Sequence, residues 1–210
     1  MLVKETKYVN ALKQLQIGRI REEIKMYQKI HQIMYDHQDK LAEFDKKRAL
    51  IVSGEYPPND EECKYEFADE TSTVEPTQDE GIPDFWLTIF SNLDLFNSNV
   101  SEKDSEILKF LKDIRYEILS EPAGFKLIFE FTPNDYFTNS QLVKTYYYSD
   151  KVDPFEPLTH SQLVIDRTEG CKINWSPNKD VTQINGQKQD SFFNFFDPPT
   201  GMFLRSVTHI

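Results

Sequence analysis

Four histidines, two cysteines and a surplus of carboxylates are the groups in this sequence that could do chemistry. The histidines, His31, His37, His160 and His209, are scattered, and none has the spacing of a metal-ligand pair. Cys63 and Cys171 stand alone, without the paired-cysteine spacing of a zinc site. There is no nucleophile elbow and no glycine loop to cradle a phosphate. These absences argue against an enzyme and lead us to expect no cofactor and no metal. The carboxylates are different: 35 Asp and Glu face 24 Lys and Arg, a net charge of −11.

The charge is divided unevenly. Residues 1–54 hold 11 Lys/Arg and 7 Asp/Glu, a net of +4, whereas residues 55–210 hold 13 and 28, a net of −15. An acidic body repels nucleic acid and attracts basic protein, so direct nucleic-acid binding is not expected. Tyr146, Tyr147 and Tyr148 could stack bases, but core and sheet-face packing account for them more simply. Candidate contacts for a basic partner are Glu102, Asp104 and Glu106 at a helix start. Glu130 and Asp135 on a hairpin, and Asp166 and Glu169 before a further strand, complete the set. The first three have an equal alternative as helix-capping and dipole-balancing residues, and Glu130 as the solvent side of a strand.

Several elements must position these groups. From Lys7 to about Val52 the chain has no proline and one glycine, Gly18. Leu12, Leu15, Ile20, Ile24, Tyr27, Ile30, Met34, Leu41, Phe44, Arg48 and Ile51 recur mostly in steps of three and four. That is the period of one amphipathic helix. Some 45 residues at about 1.5 Å each span roughly 65 Å, more than a body of this size can cover. A second copy, or a long partner helix, is the expected cover, with Leu12, Leu15, Ile20, Ile24, Tyr27, Met34, Leu41 and Phe44 as dimerisation residues; a helix lying across its own domain is the alternative. Val9, Leu12, Leu15 and Ile17 also have the spacing of a leucine-rich export signal, although stripe packing explains them more readily. Gly54 and Pro57-Pro58 end the helix.

Residues 55–80 hold ten Asp/Glu against one Lys, Lys64, and read as an acidic connection. Asp84 can cap a short aromatic helix, and Ser101–Asp104 a second with the stripe Ile107, Leu108, Leu111, Ile114. After Gly124 the period changes to two. Phe125, Leu127, Phe129 and Phe131 alternate with Lys126, Ile128 and Glu130, and Leu142 to Tyr148 return as the second strand of an antiparallel hairpin. Leu163–Ile165, Cys171–Trp175 and Val181–Thr182 are further strand candidates, and Ser191–Phe196 is an aromatic knot. The fold class is α+β: a long dimerisation helix (1–54), an acidic connecting segment (55–80) and a domain with an antiparallel β-sheet flanked by helices (81–210). No apolar run approaches the roughly 18 residues of a membrane span. With no signal peptide and few thiols, a reducing intracellular setting without a disulfide is expected.

Strings along nearly the whole chain resemble the nucleosome assembly protein family of acidic histone chaperones. They are Val9–Gln16, Ile82–Thr88, Leu111–Ile114, Gly124–Phe131, Tyr136–Asn139, Leu142–Tyr146, Glu169–Trp175 and, most specific, Ser191–Pro199. The resemblance implies a helix paired antiparallel with its copy in a homodimer and a sheet domain at each end. It also implies core histones as partners, delivery for nucleosome assembly, and work in cytoplasm and nucleus. An acidic scaffold for other basic proteins is the alternative function. Three departures stand out. The family's basic hairpin is cut to Gln183–Asp190, with Lys188 its one basic residue. Gly201–Arg205 runs directly into Ser206–Thr208, and no acidic tail follows Ile210. Either an abridged sequence or a naturally shorter one accounts for them.

Overall fold

The chain begins with a helix of 51 residues, α1 (Val3–Ser53). The computed structural model describes residues 3–64, 81–93, 100–149, 151–152, 157–158 and 163–197. Most of the acidic connection (65–80) and the residues after 197 lie outside the described residues, as do Leu95, His160 and His209. α1 would measure about 75 Å at helical rise. It stops where Gly54 turns left-handed (φ 80°) and its N–H donates to the carbonyl of Ile51.

Among the described residues two short helices follow, α2 (Phe85–Asn92) and α3 (Glu102–Leu108). Asp84 stands at the start of α2 in a left-handed conformation (φ 51°), but its side chain makes no capping bond, contrary to expectation. Ser101 caps α3 with a complete capping box, as its spacing predicted.

Four antiparallel strands form a meander in the order β1 (Leu111–Leu119), β2 (Gly124–Phe131), β3 (Gln141–Tyr148) and β4 (Ile165–Glu169). The stripe that the sequence assigns to one helix is split here: α3 ends at Leu108 and Leu111–Ile114 open β1. Beyond Leu111, Ile114, Tyr116 and Ile118 alternate with Arg115 and Glu117. Pairing with β2 over eight positions decides the conformation. β4 begins at Ile165, where the expected strand ended. Cys171–Trp175 contributes one isolated bridge, Trp175 to Phe137. A small hairpin, β5 (Gln183–Ile184) and β6 (Gln187–Lys188), turns through Asn185 and Gly186, both at positive φ.

Cross-strand register puts Ile114, Phe129 and Leu142 on one sheet face, and Arg115, Ile128 and Val143 on the other. The first face is the core. Phe129, Phe131 and Leu142 pack with Phe90 of α2, Ile107 and Leu108 of α3, and the 3-10 helix η1 (Phe192–Phe196). The other face is polar and ion-paired, with Arg115 to Glu130 at 3.1 Å and Lys126 to Glu117 at 3.1 Å.

α1 closes the outer edge of β1 with side chains. The Gln38 amide accepts from the Ile118 N–H (2.9 Å) and donates to the Ile118 carbonyl (3.2 Å). His31 Nε2 donates to the carbonyl of Leu119 (2.8 Å), and Arg48 to that of Ile114 (2.9 Å). A glutamine thus does the work of a neighbouring strand, and the edge cannot pair elsewhere. Arg48, which the apolar spacing drew into the stripe, is a clamp: it also pairs with buried Asp113 (3.1 Å) and lies over the Trp86 ring. Burial pushes the Asp113 carboxyl above its ordinary range, and the Arg48 guanidinium pulls it back.

Candidate functional site

The long helix has two apolar faces. One is buried within the chain: Ile20 is 0% exposed, Ile24 4% and His31 8%. Tyr27 is half-buried. The other carries Tyr8, Leu12, Leu15, Met26, Ile30, Ile33, Leu41 and Phe44, all exposed, with Phe44 at 74%. At 100° per residue the two faces are about 120° apart on the cylinder. The spacing rule merged them into one stripe. Ile20 and Ile24 therefore need correction, because a second copy has nothing left to cover on them. Leu12, Leu15, Met34, Leu41 and Phe44 remain available. Val9, Leu12 and Leu15 of the export-type spacing are exposed, and Ile17 is half-buried.

The predicted acidic contacts separate in the same way. Asp104 is not at the surface: its exposure is 0%. Its carboxylate accepts from the Ser101 N–H (2.8 Å), the Ser191 hydroxyl (2.6 Å) and the Phe192 N–H (3.0 Å). It is the interior knot that ties the start of α3 to η1. A helix capping box fixes one of these bonds; only the fold brings Ser191 to it.

Glu102, Glu106, Asp135, Asp166 and Glu169 are exposed, and Glu130 is half-buried in its pair with Arg115. Glu106 and Asp135 come together at Tyr136, whose hydroxyl donates to Glu106 (3.2 Å). Burial raises the Tyr136 hydroxyl pKa, and the carboxylates of Glu106 and Asp135 add to the rise. Glu102 lies one turn before Glu106 on α3. Glu169 is elsewhere, on β4, accepting from the Tyr147 hydroxyl (3.0 Å). Asp166 lies on the same strand. The acidic residues thus form one group around Tyr136 and a second along β4. The tyrosines that organise both groups were missed in the sequence, where aromatic residues read as core.

The acidic connection leaves α1 through a hook. Glu62 accepts from Lys47 and from the Tyr56 hydroxyl (2.9 Å), and these bonds with the Asn59 N–H hold its pKa down at about 2. The chain returns at Gly81-Ile82, where the Ile82 N–H donates to the Val52 carbonyl (2.9 Å). Gly81 has φ +87°, and a Cβ there would sit 2.4 Å from the Val52 carbonyl oxygen. The acidic segment therefore leaves and re-enters beside the end of α1.

Among the described residues no group of His, Cys, Asp and Glu could hold a metal ion, and no helix is long and apolar enough to cross a membrane. Cys63 and Cys171 are both free thiols.

The family model described as Nucleosome assembly protein (NAP) matches residues 7–203. The chain belongs to the nucleosome assembly protein family. Nucleosome assembly protein 1-like 1 of Xenopus tropicalis is 35% identical over 227 residues, covering 91% of this chain. The chain spans 58% of that relative's length. Among solved structures, Nucleosome Assembly Protein 1 from Plasmodium knowlesi superposes with a TM-score of 0.57 at 23% identity, over 99% of this chain and 86% of that one. A nucleosome assembly protein from Plasmodium falciparum gives 0.54 at 24%, over 95% and 83%. These structures share the nucleosome assembly protein fold: a long helix followed by an antiparallel sheet with helices.

Proposed function

We propose that this protein is an acidic, homodimeric histone chaperone that binds core histones, shields their charge and delivers them for nucleosome assembly. The observation that carries the reading is family membership across residues 7–203. Two physical features support it. The net of −15 after residue 54 suits a basic cargo, and exposed carboxylates hold such cargo through many weak contacts worth about 0–1 kcal/mol each. Cargo held in that way can be handed to DNA. The exposed face of α1 is long, apolar and suited to a copy of itself.

The contacts proposed are Glu102, Glu106, Glu130, Asp135, Asp166 and Glu169, with Asp104 withdrawn. The dimer is proposed to form through Leu12, Leu15, Met34, Leu41 and Phe44, joined by Met26, Ile30 and Ile33 and, at the margin of the face, by half-buried Tyr27. The protein acts without a cofactor, catalytic residue, direct nucleic-acid contact or membrane, in both cytoplasm and nucleus. Titration with the two core-histone complexes at about 0.15 M salt, alongside light scattering, tests the proposal. A mass of two chains and tighter binding to histones than to unrelated basic proteins of equal charge are expected. Equal affinity for both classes would leave the general acidic scaffold as the function. A mass of one chain would remove the dimer.

A further inference from the structure

Three tyrosines share one arrangement. The Tyr136 hydroxyl donates to Glu106 (3.2 Å), and the Lys179 ammonium lies over the Tyr136 ring, 5.2 Å from its centre. The Tyr147 hydroxyl donates to Glu169 (3.0 Å), and the Arg167 guanidinium lies 4.1 Å from that ring's centre. The Tyr56 hydroxyl donates to Glu62 (2.9 Å), and Lys47 lies 5.1 Å over that ring. Each ring holds a carboxylate at its hydroxyl end and a cation over its negative face. The couples sit on a loop, a strand and the hook after α1, so no single local motif produces them.

They differ in how firmly the cation is held. Lys47 is also paired with Glu62, and Arg167 with Glu169 at 3.9 Å. Lys179 has no carboxylate within ion-pair distance among the described residues, and neither Glu106 nor Asp135 has a basic partner there. The Tyr136 couple therefore combines two uncompensated carboxylates with a cation held by the ring alone. An incoming ammonium could take the ring face, drawn in by the two uncompensated carboxylates beside it, and would break no ion pair to do so.

We propose that Tyr136, Glu106 and Asp135 form a seat for a lysine side chain of a basic partner, and that Lys179 occupies it in the free protein as an internal stand-in. The partner's lysine displaces Lys179 onto the surface. The inference rests on the basic-partner function proposed above and adds a residue-level site with a built-in competitor. The stand-in keeps the open face of a half-buried, acid-rimmed ring covered when no cargo is bound.

The test uses the full chain and an N-acetylated hexalysine peptide as probe. Lys179→Met should bind it about three- to fivefold tighter, the scale of an exposed cation–π contact. Lys172→Met, which removes the same charge from another exposed site, should gain less than about twofold. In a Tyr136→Leu background the Lys179→Met gain should vanish. A direct readout needs no substitution: ring current from Tyr136 shifts the Lys179 ε-methylene protons upfield, and saturating peptide should abolish that shift. Equal tightening by both lysine variants, or a Lys179 shift unchanged at saturation, overturns the seat. Failure to bind core histones while hexalysine still displaces Lys179 would sink the chaperone reading and leave the seat standing.

Discussion

Asp104→Ala separates a structural carboxylate from a binding one. In the folded protein the Asp104 side chain is fully buried and accepts three hydrogen bonds, from the Ser101 N–H, the Ser191 hydroxyl and the Phe192 N–H. Losing its half of the capping box costs about 1 kcal/mol. The Ser191 hydroxyl then loses the acceptor for its proton, though it still accepts from the Phe193 N–H, and the Phe192 N–H is left buried without a partner, at about 1–3 kcal/mol each. The total is about 3–7 kcal/mol, a large share of the roughly 5–15 kcal/mol that holds a domain folded. Urea unfolding followed by circular dichroism, at one protein concentration, should show a lower midpoint with an unchanged slope. Asp104→Asn should fall between, since one amide oxygen still accepts while the NH2 group meets N–H and O–H donors. Glu102→Lys, exposed two residues earlier, should stay within about 0.5 kcal/mol of the unmutated protein yet weaken histone binding. An Asp104→Ala protein as stable as the original, with reduced histone affinity, would refute the reasoning and return Asp104 to the binding surface.

Three further predictions concern α1 and the hook. Leu12 with Phe44, Leu15 with Leu41, and Met26 with Ile30 lie symmetrically about residue 28, the register of an antiparallel pair. With Cys63 and Cys171 replaced by Ser, Leu15→Cys/Leu41→Cys should therefore cross-link between chains on oxidation while Leu15→Cys alone does not. Cross-linking by the single variant would mean a parallel pair. Ile24→Ala should cost about 2–5 kcal/mol in urea unfolding and leave the dimer mass intact, whereas Phe44→Glu should give monomers by light scattering without unfolding the sheet. The reverse pattern would exchange the two helix faces. Glu62 is held at a pKa of about 2 against an ordinary 4.5, so its contribution to the hook is complete above pH 4.5 and is lost as the pH falls through 2. Tyr56 ring signals in NMR should follow that titration, with its midpoint moved up toward 4.5 in Lys47→Met; a midpoint near 4.5 in the unmutated protein would mean that the hook is not formed.

The sequence by itself determined much of the frame. Local signals carried it: an unbroken 3.6-residue period for α1, Gly54 before two prolines for its end, the Ser101–Asp104 spacing for the α3 cap, and the alternating Phe125–Phe131 for β2. Each is a rule between residues a few positions apart, so one chain suffices to read it. The family strings were legible for the same reason. Tertiary structure decided the rest. Leu111–Ile114 satisfy a helical and a strand period equally, and pairing with β2 chose between them. The helix stripe was two faces, because periodicity records that residues are apolar but not what covers them; burial of Ile20 and Ile24 separated them from Leu41 and Phe44. Asp104 looked like any acidic residue in a first helical turn until Ser191 arrived from 87 positions away. Lys179 reaches Tyr136 across 43 residues of chain. A charge and a ring that far apart have no signature in spacing, and only the folded chain sets one over the other.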